Sequence, residues 1–427
     1  MARKLLRGLT VSAAAIAGLV VVQPGHALAA SGHAVTVRPA GGTVTLVSVT
    51  SSGRSAGRYS FAVGISAHGR FVAFTSGANE VFVRDRLTGV TTMESVSSRG
   101  APGNEGSFGG ALSADGRVLT FPSYASNLVP GDTNQSADVF ARDRVRGVTE
   151  RVSVATSGRQ ANGAVVGDWP AISANGRYVA FDSDASNLVP GDTDGSNDVF
   201  VRDRSRRVTE RVSVATSGRQ GNGDSYSPSI SSDGRYVAFA SDASNLVRGD
   251  SNGWRDVFVR DRLKKVTYRV SLNSAGHQFT SRWSDDASIS GNGRYVAFSS
   301  YQLTNGNFGP SVIMVRDRLG GVTRQVAGSS SADPGLGVSM SQDGRYVGYS
   351  DQRSHMYLWD QRCNVTYRLP SVGNSASDLY VNGHNRLSAD AHHAVFSGPP
   401  PVGQASSVTS AYVWDDVSDM LAARTFR

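Results

Sequence analysis

The sequence predicts an all-β fold, a ring of about seven four-stranded units, with six as the alternative count. Three observations carry that prediction. One string of ten residues recurs along most of the chain, and a tight-turn signal sits at the same place in each copy. The composition agrees: 48 of 427 residues are Gly, and only 18% are charged, below the usual quarter. That balance suits a sheet protein with many turns and excludes a coiled coil or a charge-rich disordered chain.

The recurring string is Ile-Ser-x-Asp/Asn-Gly-Arg-Tyr-Val-Ala-Phe, at 65–74, 112–121, 172–181, 230–239, 289–298, 340–349 and, in degenerate form, 387–396. A second string, Val-Phe-Val-Arg-Asp-Arg or a close variant, follows at 81–86, 139–144, 199–204, 257–262 and 313–318. In the last two copies it becomes Tyr-Leu-Trp-Asp-Gln (357–361) and Tyr-Val-Trp-Asp-Asp (412–416). A third string, Val-Thr-Glu-Arg-Val-Ser or a variant, appears at 148–153, 208–213, 266–271 and 365–369.

Each copy therefore holds four short strands. Strand A ends at the Ser, and Asn-Gly or Asp-Gly makes the A–B turn, read as a two-residue hairpin with both central residues at positive φ. Strand B is apolar on both alternating sets, as Tyr178 and Ala180, Val179 and Phe181 show. A strand covered on both faces has that pattern. Strands C and D are the second and third strings. Four-stranded sheets repeated around an axis make a β-propeller. Residues 43–49 resemble strand-D text without strands A to C before them, so they are expected to close the ring as the outer strand of the last blade. The rival for that place is 420–426.

These strings resemble the TolB-like β-propellers, whose repeat has a Ser-Pro-Asp-Gly turn, an apolar strand and a strand ending in Asp. The resemblance covers 43–427 and implies one propeller domain. This chain departs from the pattern by carrying Ala, Ser, Gly or Gln where the family usually has Pro. Trp359-Asp360 and Trp414-Asp415 give a WD-repeat-like look, with a longer period and no Gly-His partner.

Residues 1–30 have the three parts of a secretory signal: basic Arg3, Lys4 and Arg7, an apolar stretch from Val11 to Val22, and a small-residue end at Ala27-Leu28-Ala29. That stretch is too short for a membrane span of about 20 residues. The expectation is a signal peptide over 1–30, a linker over 31–42, and a secreted, extracytoplasmic protein without a membrane span. Without 1–30 the charge of +8 falls to +5, and no basic stripe with interleaved aromatics appears. Nucleic-acid binding is not expected. Cys363 is the only cysteine, so no intrachain disulfide can form.

A residue present in every copy is read as serving the blade. Arg177, Arg235 and Arg294, with Asp203, Asp261 and Asp317, are expected to clasp the A–B turn to strand C. Candidate binding residues are those that break the repeat where the B–C loops (182–197, 240–255) and D–A loops (156–169, 216–227, 273–287, 371–385) share one face. These loops are read as long and variable. The candidates are Trp169, Tyr226, Trp254, Arg255, Arg282 and Trp283, beside Asp168, Asp224 and Asp285. Packing at a blade junction is the other reading of Trp169 and Trp283.

Three loops carry oxygen donors at positions 1, 3 and 7: Asp132, Asn134 and Asp138; Asp192, Asp194 and Asp198; Asp250, Asn252 and Asp256. Part of a calcium loop looks like this. The carboxylate at position 12 lies on strand C, about 16 Å beyond position 7, so an EF-hand cage cannot close. A smaller calcium site or an Asx-turn remains. No catalytic residue and no other cofactor is assigned. His277, His384 and Asp285 could face the channel mouth, but no spacing joins them.

The sequence is thus read as a secreted, non-catalytic, monomeric interaction scaffold that holds a protein partner on its long-loop face. The alternatives are a carbohydrate-binding or carbohydrate-active propeller, lyase-like or glycosidase-like, and a calcium-stabilised structural envelope protein. An acidic pair about 5–10 Å apart at the mouth would favour a glycosidase.

Overall fold

The computed structural model describes residues 10–11, 36–39, 41–56, 59–167, 169–304, 307–328, 337–350, 355–370, 387–398 and 409–416. The expected signal peptide, the stretch 420–426, Asp168 and His384 lie wholly or almost wholly outside them. The fold is a ring of seven antiparallel blades, which settles the count at seven. Blade 3 shows the plan, with strand A at Ala171–Ile172, B at Tyr178–Ser183, C at Asp198–Asp203 and D at Val208–Arg211. Blade 4 repeats it with Ser225–Ile230, Tyr236–Ser241, Asp256–Asp261 and Val266–Arg269. Blade 5 has the longest strands, Arg282–Ile289, Tyr295–Thr304, Asn307–Asp317 and Val322–Gly328.

Blade 7 draws its strands from both ends of the chain. His393–Gly398 pairs with Ser410–Asp415, which pairs in turn with Thr43–Leu46. Among the described residues strand A of this blade is a single bridge, Leu387 to Ala394. The N-terminal segment therefore supplies the outer strand, as its repeat-like text indicates. Thr10–Val11 and Thr36–Pro39 add short edges to Thr43–Leu46 and to strand D of blade 6, Val365–Arg368.

The A–B turn differs from the sequence expectation. Asn175 and Asp233 are not left-handed; only the Gly is, at φ 70° for Gly176 and 76° for Gly234. Gly234 N–H donates to Ser231 O, and Tyr236 N–H to Ser231 Oγ. The loop is a type I turn followed by a left-handed Gly, which suits an Asp side chain that accepts from the Ser231 hydroxyl and Arg235 N–H. The Gly also has a packing reason: a Cβ on Gly234 would lie 2.1 Å from the Tyr178 ring of the preceding blade.

Seven apolar clusters fill the seven seams between blades. The seam of blades 3 and 4 shows how. Ala180, Val199 and Val201 on one side meet Val237, Phe239 and Phe258 on the other. Strand B is apolar on both faces because each face meets a different neighbour. Phe181 and Phe200 are directly opposed across strands B and C and stack at 5.8 Å, and Phe239 and Phe258 repeat this at 5.9 Å. Truncating such a buried Phe costs about 3–5 kcal/mol.

Arginines stitch the A–B and C–D end. Arg177 is bidentate to Asp203 at 2.8 and 2.6 Å, and the same clasp joins Arg70 to Asp85, Arg117 to Asp143, Arg235 to Asp261, Arg294 to Asp317 and Arg345 to Asp360. A second Arg, just after strand C, crosses the seam. Arg262 of blade 4 pairs with Glu210 of blade 3 at 2.5 Å, and stacks 4.6 Å above Tyr178. Arg177 covers the same ring at 4.8 Å, so the aromatic lies between two guanidiniums. No helix among the described residues is long and apolar enough to cross a membrane.

Candidate functional site

Strands A of successive blades touch each other around the axis. At the A–B end, residue x of each Ser-x-Asp-Gly turn hydrogen-bonds to residue x of the next blade. Ala67 donates to Ala114, Ala114 to Ala174, Ala174 to Ser232, Ser232 to Gly291, Gly291 to Gln342, Gln342 to Ala389, and Ala389 back to Ala67, all at 2.8–3.2 Å. Neighbours about 4.8 Å apart make such a ring about 11 Å across between Cα atoms. Gln342 reaches over Gly291 to donate to Ser232 Oγ at 2.6 Å, where a Cβ on Gly291 would not fit. This end of the channel is a narrow throat.

The opposite mouth is framed by strand-A starts, B–C loops and D–A loops. Between blades 4 and 5 it carries a compact polar group. Arg255, just before strand C, donates two hydrogen bonds to Asp242 (3.0 and 2.9 Å) and one to Asp285 (2.7 Å). Its guanidinium lies 4.3 Å from the centre of the Tyr226 ring and 4.5 Å from that of Trp283. Tyr226 O–H donates to Asp224 at 2.8 Å, and Asp224 accepts from Asn197 N–H, whose side-chain amide donates to Asp182. Burial works against the Arg255 charge, but Asp242 and Asp285 outweigh it and hold its pKa above the ordinary range. Burial and the bond to Asp224 raise the Tyr226 phenol.

Local backbone geometry aims these side chains. Strands A of blades 4 and 5 each bulge, at 226–229 and 285–288, with Ser227 and Asp286 at φ 51°. A bulge re-aims the side chains beside it. Around blade 2 the mouth carries aromatic side chains: Tyr124 is half exposed and meets Phe108 edge-on at 5.4 Å.

Of the six residues singled out by sequence, Tyr226, Arg255 and Trp283 come together. Arg282 lies beside them in sequence, half-buried near Phe279, with Nη1 lacking a hydrogen-bond partner and its pKa lowered by burial. Trp254 is half-buried, held by its backbone N–H to Asn252. Trp169 is elsewhere, packed against the cluster of Leu128, Ala125 and Phe121 at the seam of blades 1 and 2. His277 sits in an outer hairpin closed by the Leu272–Gln278 bridge, whereas Asp285 is on an innermost strand. Asp242 was missed because an Asp also stands there in blade 3, as Asp184.

The long loops of blades 2 to 4 are less variable than their lengths imply. Asn162 in a D–A loop donates hydrogen bonds to Asn187 and Ser186 of a B–C loop, and Asn104 and Asn222 do the same with their counterparts. These bonds tie each D–A loop to a B–C loop and so fix both.

The three oxygen-donor loops each wrap an arginine that sequence reasoning missed. Arg211 lies 3.2 Å from Asp192 and 2.7 Å from Asp198; Arg151 bridges Asp132 and Asp138, and Arg269 bridges Asp250 and Asp256. Gln160 and Gln220 bond to Asp132 and Asp192, while Gln278 accepts from Arg269. Asn134 and Asn252 donate to Asp138 and Asp256, rather than presenting oxygen to a centre. Among the described residues Asp192, Asp194 and Asp198 are the three carboxylates that bring ligand atoms within 4.8 Å of one another. Burial pushes Asp198 and Asp250 up to about 6 despite their arginines. The signal was available, since the Arg recurs at one place in strand D and the Gln at one place after it.

No family model and no curated protein matches the chain. Solved structures do. An oligogalacturonate lyase in complex with manganese aligns over 90% of this chain and 95% of its own, at 13% identity and TM-score 0.57. An oligogalacturonate lyase from Vibrio parahaemolyticus aligns over 88% and 93%, at 11% identity and TM-score 0.57. A putative TolB from Agrobacterium tumefaciens covers 69% of this chain and 91% of its own, at 14% identity and TM-score 0.44. At these identities the likeness is one of fold.

Proposed function

We propose that this protein is a secreted, non-catalytic binding propeller that holds a protein partner on the face opposite the throat. The observation that carries the reading is the asymmetry of the two channel ends. One end is pinched by seven backbone hydrogen bonds. The other presents half-exposed Tyr124 and the fixed Tyr226–Arg255–Trp283 stack. Groups already held in place lose little freedom when a partner docks, which favours affinity. Arg255 sits between Asp242 and Asp285 and engages both carboxylates in hydrogen bonds.

A carbohydrate ligand is the second reading, favoured by aromatic Phe108 and Tyr124 on one side of the mouth and carboxylates on the other. The two lyases of like fold are named for oligogalacturonate, which adds an acidic sugar oligomer to the candidates. Calcium would enter best at Asp192, Asp194 and Asp198, and only by moving Arg211 aside.

The test is affinity capture from secreted and envelope fractions, beside a glycan array, with wild type and a Tyr124→Ala/Trp254→Ala variant. One protein captured by wild type and lost with the variant is the expected result. A glycan bound by wild type with no protein captured would replace the proposal by the carbohydrate reading.

A further inference from the structure

The seam between blades 5 and 6 breaks the arginine pattern of its neighbours, and it does so on the throat side, away from the mouth. In the seams before it, an Arg after strand C bonds to the carbonyl of the turn Gly and, in three seams, stacks on the preceding blade's aromatic: Arg144 on Phe71, Arg262 on Tyr178, Arg318 on Tyr236. In blade 6 that residue is Gln361. It keeps the carbonyl bond, to Gly344 at 3.0 Å, but brings no charge to Tyr295. Among the described residues Tyr295 has a single guanidinium over its ring, Arg294, at 4.9 Å.

The partner of the missing arginine has changed as well. Glu150 and Glu210, third in strand D, receive the crossing arginine in two earlier seams, and Glu94, two residues further along, does so in another; at the third place blade 4 has Tyr268, under Arg318, and blade 5 has Arg324. The result is a cavity of about 440 Å³ lined by Arg294, Tyr295, Arg324, Arg345, Gln361 and Arg362, among others. Arg294 and Arg345 are committed to Asp317 and Asp360. Asp343, also in the lining, is tied to Ser341 and Arg345 N–H within its own turn. Among the described residues Arg324 and Arg362 have no ion-pair partner, and both are exposed.

We propose that this cavity binds a small oxyanion carried on a flat ring. Arg324 and Arg362 hold the oxyanion, and the ring takes the place over Tyr295 that a guanidinium fills elsewhere. A guanidinium fork matches carboxylate and phosphate alike, so both are candidates for the oxyanion.

Titration calorimetry of the full chain at low ionic strength, with phenyl phosphate, benzoate and inorganic phosphate, tests this. At least one ring-bearing probe binds more tightly than inorganic phosphate, and which one identifies the oxyanion. Arg324→Glu with Gln361→Arg rebuilds the seam of the other blades. It weakens that binding by about tenfold or more, without lowering the melting temperature. Arg324→Gln, at an exposed and unpaired position, weakens it too and leaves folding untouched. The proposal is overturned if no ring-bearing probe outbinds inorganic phosphate, or if both variants bind as wild type does.

Discussion

The backbone N–H of Ala389 donates to the carbonyl of Ala67 at 3.0 Å, joining the seventh blade to the first and completing the hydrogen-bonded throat. Each turn needs an N–H at this position for the ring to close. Proline has none. Ala, Ser, Gly or Gln at residues 67, 114, 174, 232, 291, 342 and 389 each supply that donor.

Ala174→Pro tests it. A turn proline with compatible geometry stabilises by about 0.4–1 kcal/mol. Here the substitution removes the donor to Ser232 O, and net destabilisation of about 1 kcal/mol is expected. The urea midpoint measures it. An unchanged or raised midpoint would show that the ring adds nothing to stability.

The clasp predicts an acid limb. Hydrogen bonds from Arg70 hold the Asp85 carboxyl at about 2, below its ordinary value, against the opposing effect of burial. A depressed folded-state pKa contributes stability that is present above about 3.9, and is lost as pH falls through 2. Arg70→Gln is therefore less stable than wild type at pH 7, and the gap in melting temperature narrows between pH 4 and pH 2. A gap that does not change with pH would mean the clasp acts by packing alone.

Arg211 predicts the answer to the calcium question. Arg211→Met leaves Asp192 and Asp198 buried without their cation, a loss of roughly 3–5 kcal/mol at neutral pH. Millimolar calcium restores part of that loss in the variant, and EDTA leaves the melting temperature of wild type unchanged. A fall in wild-type melting temperature with EDTA would mean that an ion shares the loop with Arg211.

Much of the fold is legible in the sequence, because the propeller is written as repetition. Strand B is apolar on both alternating sets, and residues 43–49 read as a D strand without its blade, so both the seams and the closure can be inferred. The site is less legible. Arg255 gains its meaning from Asp242 thirteen residues before it and Asp285 thirty residues after, on another blade, and no local pattern joins them. Trp169 and Trp283 look alike in sequence, yet one packs on an apolar seam and the other on a guanidinium. Arg151, Arg211 and Arg269 were hidden by regularity itself: a residue in several copies reads as scaffold, although here it decides whether an acidic loop has room for an ion.

The pairing of Val413 with Thr45 makes assembly order matter. Local hairpins can form as soon as each blade exists, but the last blade waits for two segments from nearly opposite ends of the chain. Contacts so distant in sequence form slowly, because the intervening chain must be ordered first. Until then Thr43–Leu46 is an unpaired edge, and the apolar sides of blades 1 and 7 face water. A chain interrupted before Ser410 would keep that edge and those sides exposed, and would be marked for aggregation or proteolysis however well its other blades had folded.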